Sequence, residues 1–273
     1  MSQKKETEEA MIRSDKQKCI KCYKCITICP FNVLEEKEDG YPGLVEGKMC
    51  LECMHCGAAC PVEAILYGDD KSIKDETIKE LSPNFSKDLK SHILQRRSYR
   101  HFKQEPVDKK IIEDVLDTVR WTPSAKNQQP TKWIVISDKN LMKKMMDIII
   151  DFVEKSGMSS EVASEFEEGN NVVMGEAPTL IIAYASDSAI NAPADTHISV
   201  ATAELLLQSK GVGTCWCGYL TRFLNNIEEL KELLPEIPKG SSFHASLMAG
   251  YPQNEKYIHI PKRLKDADIK WVK

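Results

Sequence analysis

Eight cysteines crowded between positions 19 and 60 constrain this chain more than any other feature. They form two sets, Cys19, Cys22, Cys25 and Cys29 before Pro30, and Cys50, Cys53, Cys56 and Cys60 before Pro61, each spelling C-x2-C-x2-C-x3-C-P. Three thiols at two-residue intervals lie on a tight loop and converge on one centre, while the fourth is displaced and turned away by its proline. Zinc also takes C-x2-C pairs, but zinc knuckles set two pairs across a longer spacer and need no triplet with a Cys-Pro written twice. The pattern is therefore read as two iron-sulfur cages in two pseudo-symmetric halves, each a hairpin with a short helical turn after its Cys-Pro, over 31–34 and 62–66. A module of about 60 residues has little core of its own and depends on its clusters to fold. His55, inside the second triplet, is read as a loop residue with no proton-coupled role.

The doubled motif resembles bacterial two-cluster ferredoxins. That resemblance implies crossed ligation, with one 4Fe-4S cluster on Cys19, Cys22, Cys25 and Cys60 and the other on Cys50, Cys53, Cys56 and Cys29, so that each staples both halves. Over 273 residues, 42% hydrophobic and 29% charged describe an ordinary globular chain. A net charge of -4 argues against nucleic-acid binding by bulk positive charge, yet leaves room for anionic cofactors held by local groups. The first ten residues are polar, without the apolar stretch of a secretory signal, and no run approaches a membrane span. Eight of the ten cysteines sit at metal-ligand spacing, which suits a reducing cytoplasm. The expectation is a cytoplasmic protein with no nucleic-acid or membrane partner.

After Cys60 no cysteine follows until Cys215. The expected organisation is an iron-sulfur domain over residues 1–70, a charged connector over 71–86 with a helical turn or two, and a larger domain over 87–273. There Val107, Ile111, Ile112, Val115, Leu116 and Val119 recur at helical spacing, with Asp108 suiting the start and Pro123 forcing the exit. Residues 133–136 read as a buried strand, followed by a helix through Leu141, Met145, Ile149 and Phe152 that ends near Gly157, and by a helical stretch over 161–169. Leu180, Ile181 and Ile182 make a continuous apolar run, suited to a strand over 179–185 buried on both faces. A helix of small residues over 194–210 closes at Gly211. Residues 216–220, a helix over 227–234 and residues 246–249 complete an α+β outline, with an extended tail from 257.

Two polar segments of the larger domain suit a ligand. One is Arg96-Arg97-Ser98-Tyr99-Arg100-His101-Phe102, whose guanidinium groups can pair bidentately with a phosphate. The other is Ser124 to Gln129 between Pro123 and Pro130, dense in amide and hydroxyl groups. Together they resemble the nitroreductase family, whose R-R-S-x-R-x-F start and P-S-x-x-N-x-Q-P loop they match. Gly211 to Gly218 is similar to the family's G-x-G-x-x-W-x-G turn, and Gly250-Tyr251-Pro252 with Pro261-Lys262-Arg263 to its C-terminal signature.

The resemblance implies a central mixed sheet flanked by helices, a homodimer, and FMN at the dimer interface. It puts phosphate and ribityl contacts on Arg96, Ser98 and Arg100, with Arg97 beside them. Ser124 and Asn127 would reach the flavin across the interface, Asn170 or Asn171 the pyrimidine edge, the amides of Cys217 and Gly218 flavin N5, and Lys262 and Arg263 the phosphate. Cys215 and Cys217 are read as buried strand residues with only one thiol on the flavin side, and Asp195 and His197 as cap and packing residues.

Iron-sulfur clusters move single electrons, whereas reducing a nitro group, a quinone or an activated alkene proceeds by hydride delivery, and a flavin does both. The expectation is an oxidoreductase that passes electrons through two 4Fe-4S clusters to FMN, which hands hydride from N5 to a nitroaromatic, quinone, flavin or related small acceptor. An external ferredoxin or other low-potential carrier is one donor and NAD(P)H the alternative; the family binds nicotinamide without a G-x-G-x-x-G fingerprint, which this sequence lacks. The competing readings are a non-catalytic electron carrier or redox sensor, and an ene-reductase or reductive dehalogenation activity on the same scaffold.

Overall fold

The computed structural model describes residues 12–68, 71–72, 78–253 and 257–272. They divide into two units, Met1–Ser82 and Pro83–Lys273. Residues 73–77 of the expected connector lie outside the described residues.

The first unit runs β1 (Ile12–Ser14), α1 (Lys24–Ile28), β2 (Leu34–Glu36), β3 (Pro42–Leu44), α2 (His55–Ala58), β4 (Ile65–Tyr67) and β5 (Lys71–Ser72). β1, β4 and β5 form one antiparallel sheet, and β2 pairs with β3 in a hairpin. Each helix begins just before the third cysteine of its triplet and runs toward the fourth, and strands occupy 34–36 and 65–67, so the helical turns expected after each Cys-Pro are corrected to helices before it. Pro30 and Pro61 have no N–H to continue a helix. Asn32 and Glu63 then enter the left-handed region, at φ 50° and 54°, which turns the chain into a strand. The buried apolar set is small: Ile12, Val33, Leu34, Ala64 and Ile65 with Cys25 and Cys56.

The second unit runs α3 (Phe85–Gln95), α4 (Lys109–Thr118), β6 (Lys132–Ile136), α5 (Lys139–Ser156), α6 (Ser160–Glu167), β7 (Thr179–Ser186), α7 (Ala192–Ser209), β8 (Gly213–Trp216), α8 (Gly218–Asn226), α9 (Glu228–Glu232) and β9 (Ser241–Gly250). The sheet order is β6-β7-β9-β8, antiparallel throughout, and a parallel bridge from Ser98 to Thr214 at the β8 edge makes it mixed. Side chains alternate along β7: Leu180 and Ile182 face a cluster built with α5, α6 and α8, whereas Ile181 and Ala183 face one built with α4 and α7. Both faces are covered, hence the apolar run at 180–182. Asp108 and Asp138 cap α4 and α5, each carboxylate accepting a first-turn amide.

Two assignments differ from the sequence reading. Residues 85–95, read partly as connector, form α3, whose Phe85, Leu89, Ile93 and Leu94 are all exposed. Residues 216–220 do not continue one element; the strand ends at Trp216 and a helix begins at Gly218, because the pattern of Leu220, Phe223 and Leu224 buries one helical face. Among the described residues no helix is long and apolar enough to cross a membrane.

Candidate functional site

In the first unit each half carries the same backbone device. Lys21 and Tyr23, and Glu52 and Met54 thirty-one positions later, sit in the left-handed region at φ 52–58°. Alternating left- and right-handed residues point successive amides into a concavity that receives an anion, as at iron-sulfur sites. One cavity is lined by Cys19, Cys22, Cys25 and Cys60. The other is lined by Cys29, Cys50, Cys53 and Cys56. Each is walled by apolar side chains, Ile65 and Val62 in the first, Leu34 and Leu44 in the second. The Val33 amide donates to Cys29 Sγ at 3.4 Å and, at the equivalent place, the Ala64 amide to Cys60 Sγ at 3.2 Å. Four thiols line each cavity, drawn from both halves of the unit, the donor set that a 4Fe-4S cluster takes. Burial pushes the Cys25 and Cys50 thiols up, and that of Cys56 up to about 11, so without a metal they stay protonated at neutral pH.

In the second unit the segment around Arg96 is clamped against the sheet edge. Ser98 bridges Thr214, the Tyr99 amide donates to Thr214 O at 2.9 Å, and the Lys103 amide to Tyr251 O at 2.8 Å. The clamp needs two glycines that face each other across β8 and β9. A Cβ on Gly213 would meet Tyr99 at 2.8 Å, and one on Gly250 would meet Phe102 at 2.8 Å. Beneath lies Glu204 of α7, 6% exposed, which accepts from Arg96 Nη1 at 3.2 Å and Trp216 Nε1 at 3.0 Å. One turn on, Gln208 donates to Arg97 O and to Thr214 Oγ1, both at 2.8 Å.

The expected ligand residues divide between two clefts. Arg100, Cys215, Trp216 and Gly218 line one, with Val172 and Met248 as apolar wall. Arg96 and Arg97 line the other, beside Gly211, Gly213, Pro252 and His259. Arg97 is spent largely on backbone, its guanidinium donating to Leu94 O and Arg96 O and, at 3.4 Å, to His259 O of the tail. Lys262 and Arg263 are exposed on that tail and line neither cleft. The Cys217 amide donates to Ser246 O at 2.8 Å, so the unspent donors here are the first amides of α8, Gly218 among them.

Ser124 and Asn127 lie on a loop away from both clefts. Ser124 Oγ accepts from the Gln129 amide, and the Asp195 carboxylate, 4% exposed, accepts from the Ala125 amide at 3.1 Å to each oxygen. Asp195 thus anchors the loop, and His197 packs beside Trp216 with Nε2 3.1 Å from His244 O. Asn170 donates to Glu165, Asn171 Oδ1 accepts from two amides of its own turn, and neither lines these two clefts. Cys215, in β8, and Cys217, at the start of α8, pack into the same core cluster, and of the two Cys215 alone borders a cleft. Burial pushes its thiol up, opposed by Arg100 and by a hydrogen bond with Ser98. Sequence reasoning missed Glu204, the second buried carboxylate of α7 after Asp195.

Residues 93–251 match the model of the Nitroreductase family, and residues 11–61 that of the 4Fe-4S dicluster domain. A Bacillus subtilis protein assigned by name to the NAD(P)H nitroreductases is 26% identical over 185 residues, covering 65% of this chain and 91% of the relative. The structure of a Desulfitobacterium hafniense nitroreductase with bound FMN is 25% identical with a TM-score of 0.56, over 67% of this chain and 98% of that one. The iodotyrosine deiodinase of Nematostella vectensis is 21% identical over 212 residues, covering 73% of this chain and 75% of the relative.

Proposed function

The chain belongs to the nitroreductase family and carries a 4Fe-4S dicluster domain ahead of it, and from this premise we propose that it passes electrons through two 4Fe-4S clusters to FMN for delivery to a small organic acceptor. The observation that carries the reading is the pair of four-thiol cavities in a chain whose second unit lines a cleft with Arg100, Trp216 and Gly218. Cys19, Cys22, Cys25 and Cys60 hold one cluster, and Cys50, Cys53, Cys56 and Cys29 the other. Bound FMN supplies the conversion between single-electron transfer and hydride transfer.

The protein's own part is positioning and charge. With FMN bound in this cleft, the amide of Gly218 at the start of α8 would offer it a hydrogen bond, and Arg100 would supply positive charge to favour its reduced, anionic form. Glu204 takes the Trp216 indole N–H, which fixes that ring as a wall of the cleft, and aims the Arg96 fork. Arg96, which lines the cleft beside the tail, would support the phosphate, with Lys262 and Arg263 further along that tail as additional cations. Ser124 and Asn127 act from a second copy of the chain, on a loop that Asp195 holds in shape.

Anaerobically purified protein is expected to hold roughly eight iron atoms from two cubanes and about one FMN per chain. Exchanging Arg96 and Arg100 for Glu is expected to release FMN while iron stays. Nitroaromatics and quinones are expected to turn over repeatedly with a chemical reductant; one reduction per chain would instead mark a carrier or sensor. The deiodinase likeness supports a second acceptor class. Iodide release from an iodophenol faster than nitroarene reduction would favour it. Rapid FMN reduction by NADH in protein whose clusters have been removed would place the donor at the flavin instead.

A further inference from the structure

The two triplet loops share a backbone but not a surface. Lys18-Cys19-Ile20-Lys21-Cys22-Tyr23-Lys24 corresponds, thirty-one positions on, to Met49-Cys50-Leu51-Glu52-Cys53-Met54-His55. The first loop has three lysines and no carboxylate, and the second a carboxylate and no lysine. Lys18, Lys21 and Lys24 are all exposed. Cys22 is exposed as well, whereas its counterpart Cys53 is half-buried. Ile20 is 61% exposed, and its counterpart Leu51 is half-buried. The hairpin turn steadies one of the lysines: Lys21 Nζ donates to Asp39 O at 3.0 Å and lies 4.1 Å from the centre of the Tyr41 ring. Lys16 nearby is balanced by its ion pair with Asp39. Carboxylates flank the loop on the hairpin side, where Tyr23 Oη donates to Glu36 Oε1 at 2.7 Å and Asp39 pairs with Lys16, while the loop itself carries Lys18, Lys21 and Lys24.

We propose that this face is the docking surface for an acidic one-electron carrier protein, whose electrons arrive at the cage of Cys19, Cys22, Cys25 and Cys60 through the exposed Cys22. The inference rests on the reading that the clusters supply the chain's electrons, and it adds which of the two receives them. Electron-transfer encounters are small, and a single apolar contact such as Ile20 inside a charged rim is enough for a short-lived complex. Opposite charge steers the approach and raises the rate of encounter rather than the strength of the complex. One electron leaves the carrier's reduced centre and the receiving cluster is reduced by one; no bond forms and no proton moves. Two such encounters supply a two-electron reduction. The second loop, with Glu52 at the place of Lys21, repels the same partner.

The test uses full-length protein with its clusters and stopped-flow recording of cluster bleaching. The probes are a reduced acidic two-cluster ferredoxin and, separately, the cationic methyl viologen radical. With the ferredoxin, the second-order rate constant is expected to fall at least tenfold between about 20 and 300 mM salt, where the screening length shortens several-fold. At low salt it is expected to fall at least tenfold in the triple variant Lys18→Glu, Lys21→Glu, Lys24→Glu, compared at equal iron content. The viologen cation should respond in the opposite direction, reducing the variant faster. A ferredoxin rate within twofold of the parent in the variant, or one that does not fall with salt in the parent, overturns the proposal; the salt series needs no variant to fold. Flavin reduction following viologen reduction of the clusters is read in the same trace. Its absence would refute the wiring from cluster to flavin without touching the docking surface.

Discussion

The two units hold their form by different means. In the second, Leu180, Ile182, Leu220, Phe223 and Leu224 are closed off completely, between a four-stranded sheet and helices on both faces. In the first, the buried apolar side chains are few, the longest helix among the described residues has five residues, and the strands have two or three. A core of that size cannot offset the entropy of ordering nearly sixty residues. The thiols, four to each cavity and drawn from both halves, are what remains to close it. One unit is built by packing and the other by coordination, and the same sequence rules read the two very differently.

The largest expected effect follows from that contrast. Stripping iron from the intact chain with a chelator under reducing conditions should abolish the first unit's structure outright while the second retains its cooperative unfolding transition. Limited proteolysis would then cut within residues 12–68 and spare 83–253. Protection of the first unit after iron loss would mean that its small core suffices. The converse experiment is Phe223→Ala, which opens a cavity between α8 and α5. It should cost the second unit about 3–5 kcal/mol in denaturant unfolding and leave cluster absorbance alone.

The contrast also explains what could be read from sequence. Cysteine spacing named the two cavities because a ligand set is a list of residues and needs no packing to be recognised. Periodicity found β7 and α5 because both bury a regular face, at 180–182 and at Met145, Ile149 and Val153. It failed at 31–34 and 62–66, where left-handed Asn32 and Glu63 override any propensity, and at α3, whose apolar residues stay exposed. The flavin motifs were visible one segment at a time. What brings Arg96, Trp216 and Thr214 together is Glu204, from a helix more than a hundred residues after the first of them, and no local pattern announces such a long-range acceptor.

Glu204 gives the next test. Glu204→Ala removes the shared acceptor of Arg96 and the Trp216 indole and should cost about 1–3 kcal/mol, seen in the second transition alone. FMN affinity is expected to drop with it, while Glu204→Gln, which keeps an acceptor oxygen, should lose less. Equal loss in the two variants would point to charge rather than to the hydrogen bonds.

Alkaline pH separates the units through their cysteines. Burial holds the Cys217 thiol far above its unfolded value. A raised folded value means that the folded state keeps its proton longer, so the contribution to stability is complete below the unfolded pKa of about 8.5 and declines as pH rises beyond it. The parent should therefore lose about 1.4 kcal/mol more per pH unit above that point than Cys217→Ala does. The liganded cysteines of the first unit, already without protons, should contribute no such slope.

The smallest effect is expected at a helix start. Asp138 accepts from the amides of Asn140 and Leu141, at 2.8 and 3.2 Å, and these are two of the donors that the first turn of α5 leaves without a carbonyl. Asp138→Ala should cost about 1 kcal/mol, whereas Asp138→Asn, which keeps the acceptor but not the charge, should lose only the part due to the helix dipole. The site is exposed, so water can replace the lost acceptor and the effect stays small. Against the chelation result the difference is one of kind: the packed unit can lose a cap and remain folded because its core carries the rest, and the coordinated unit has no such reserve.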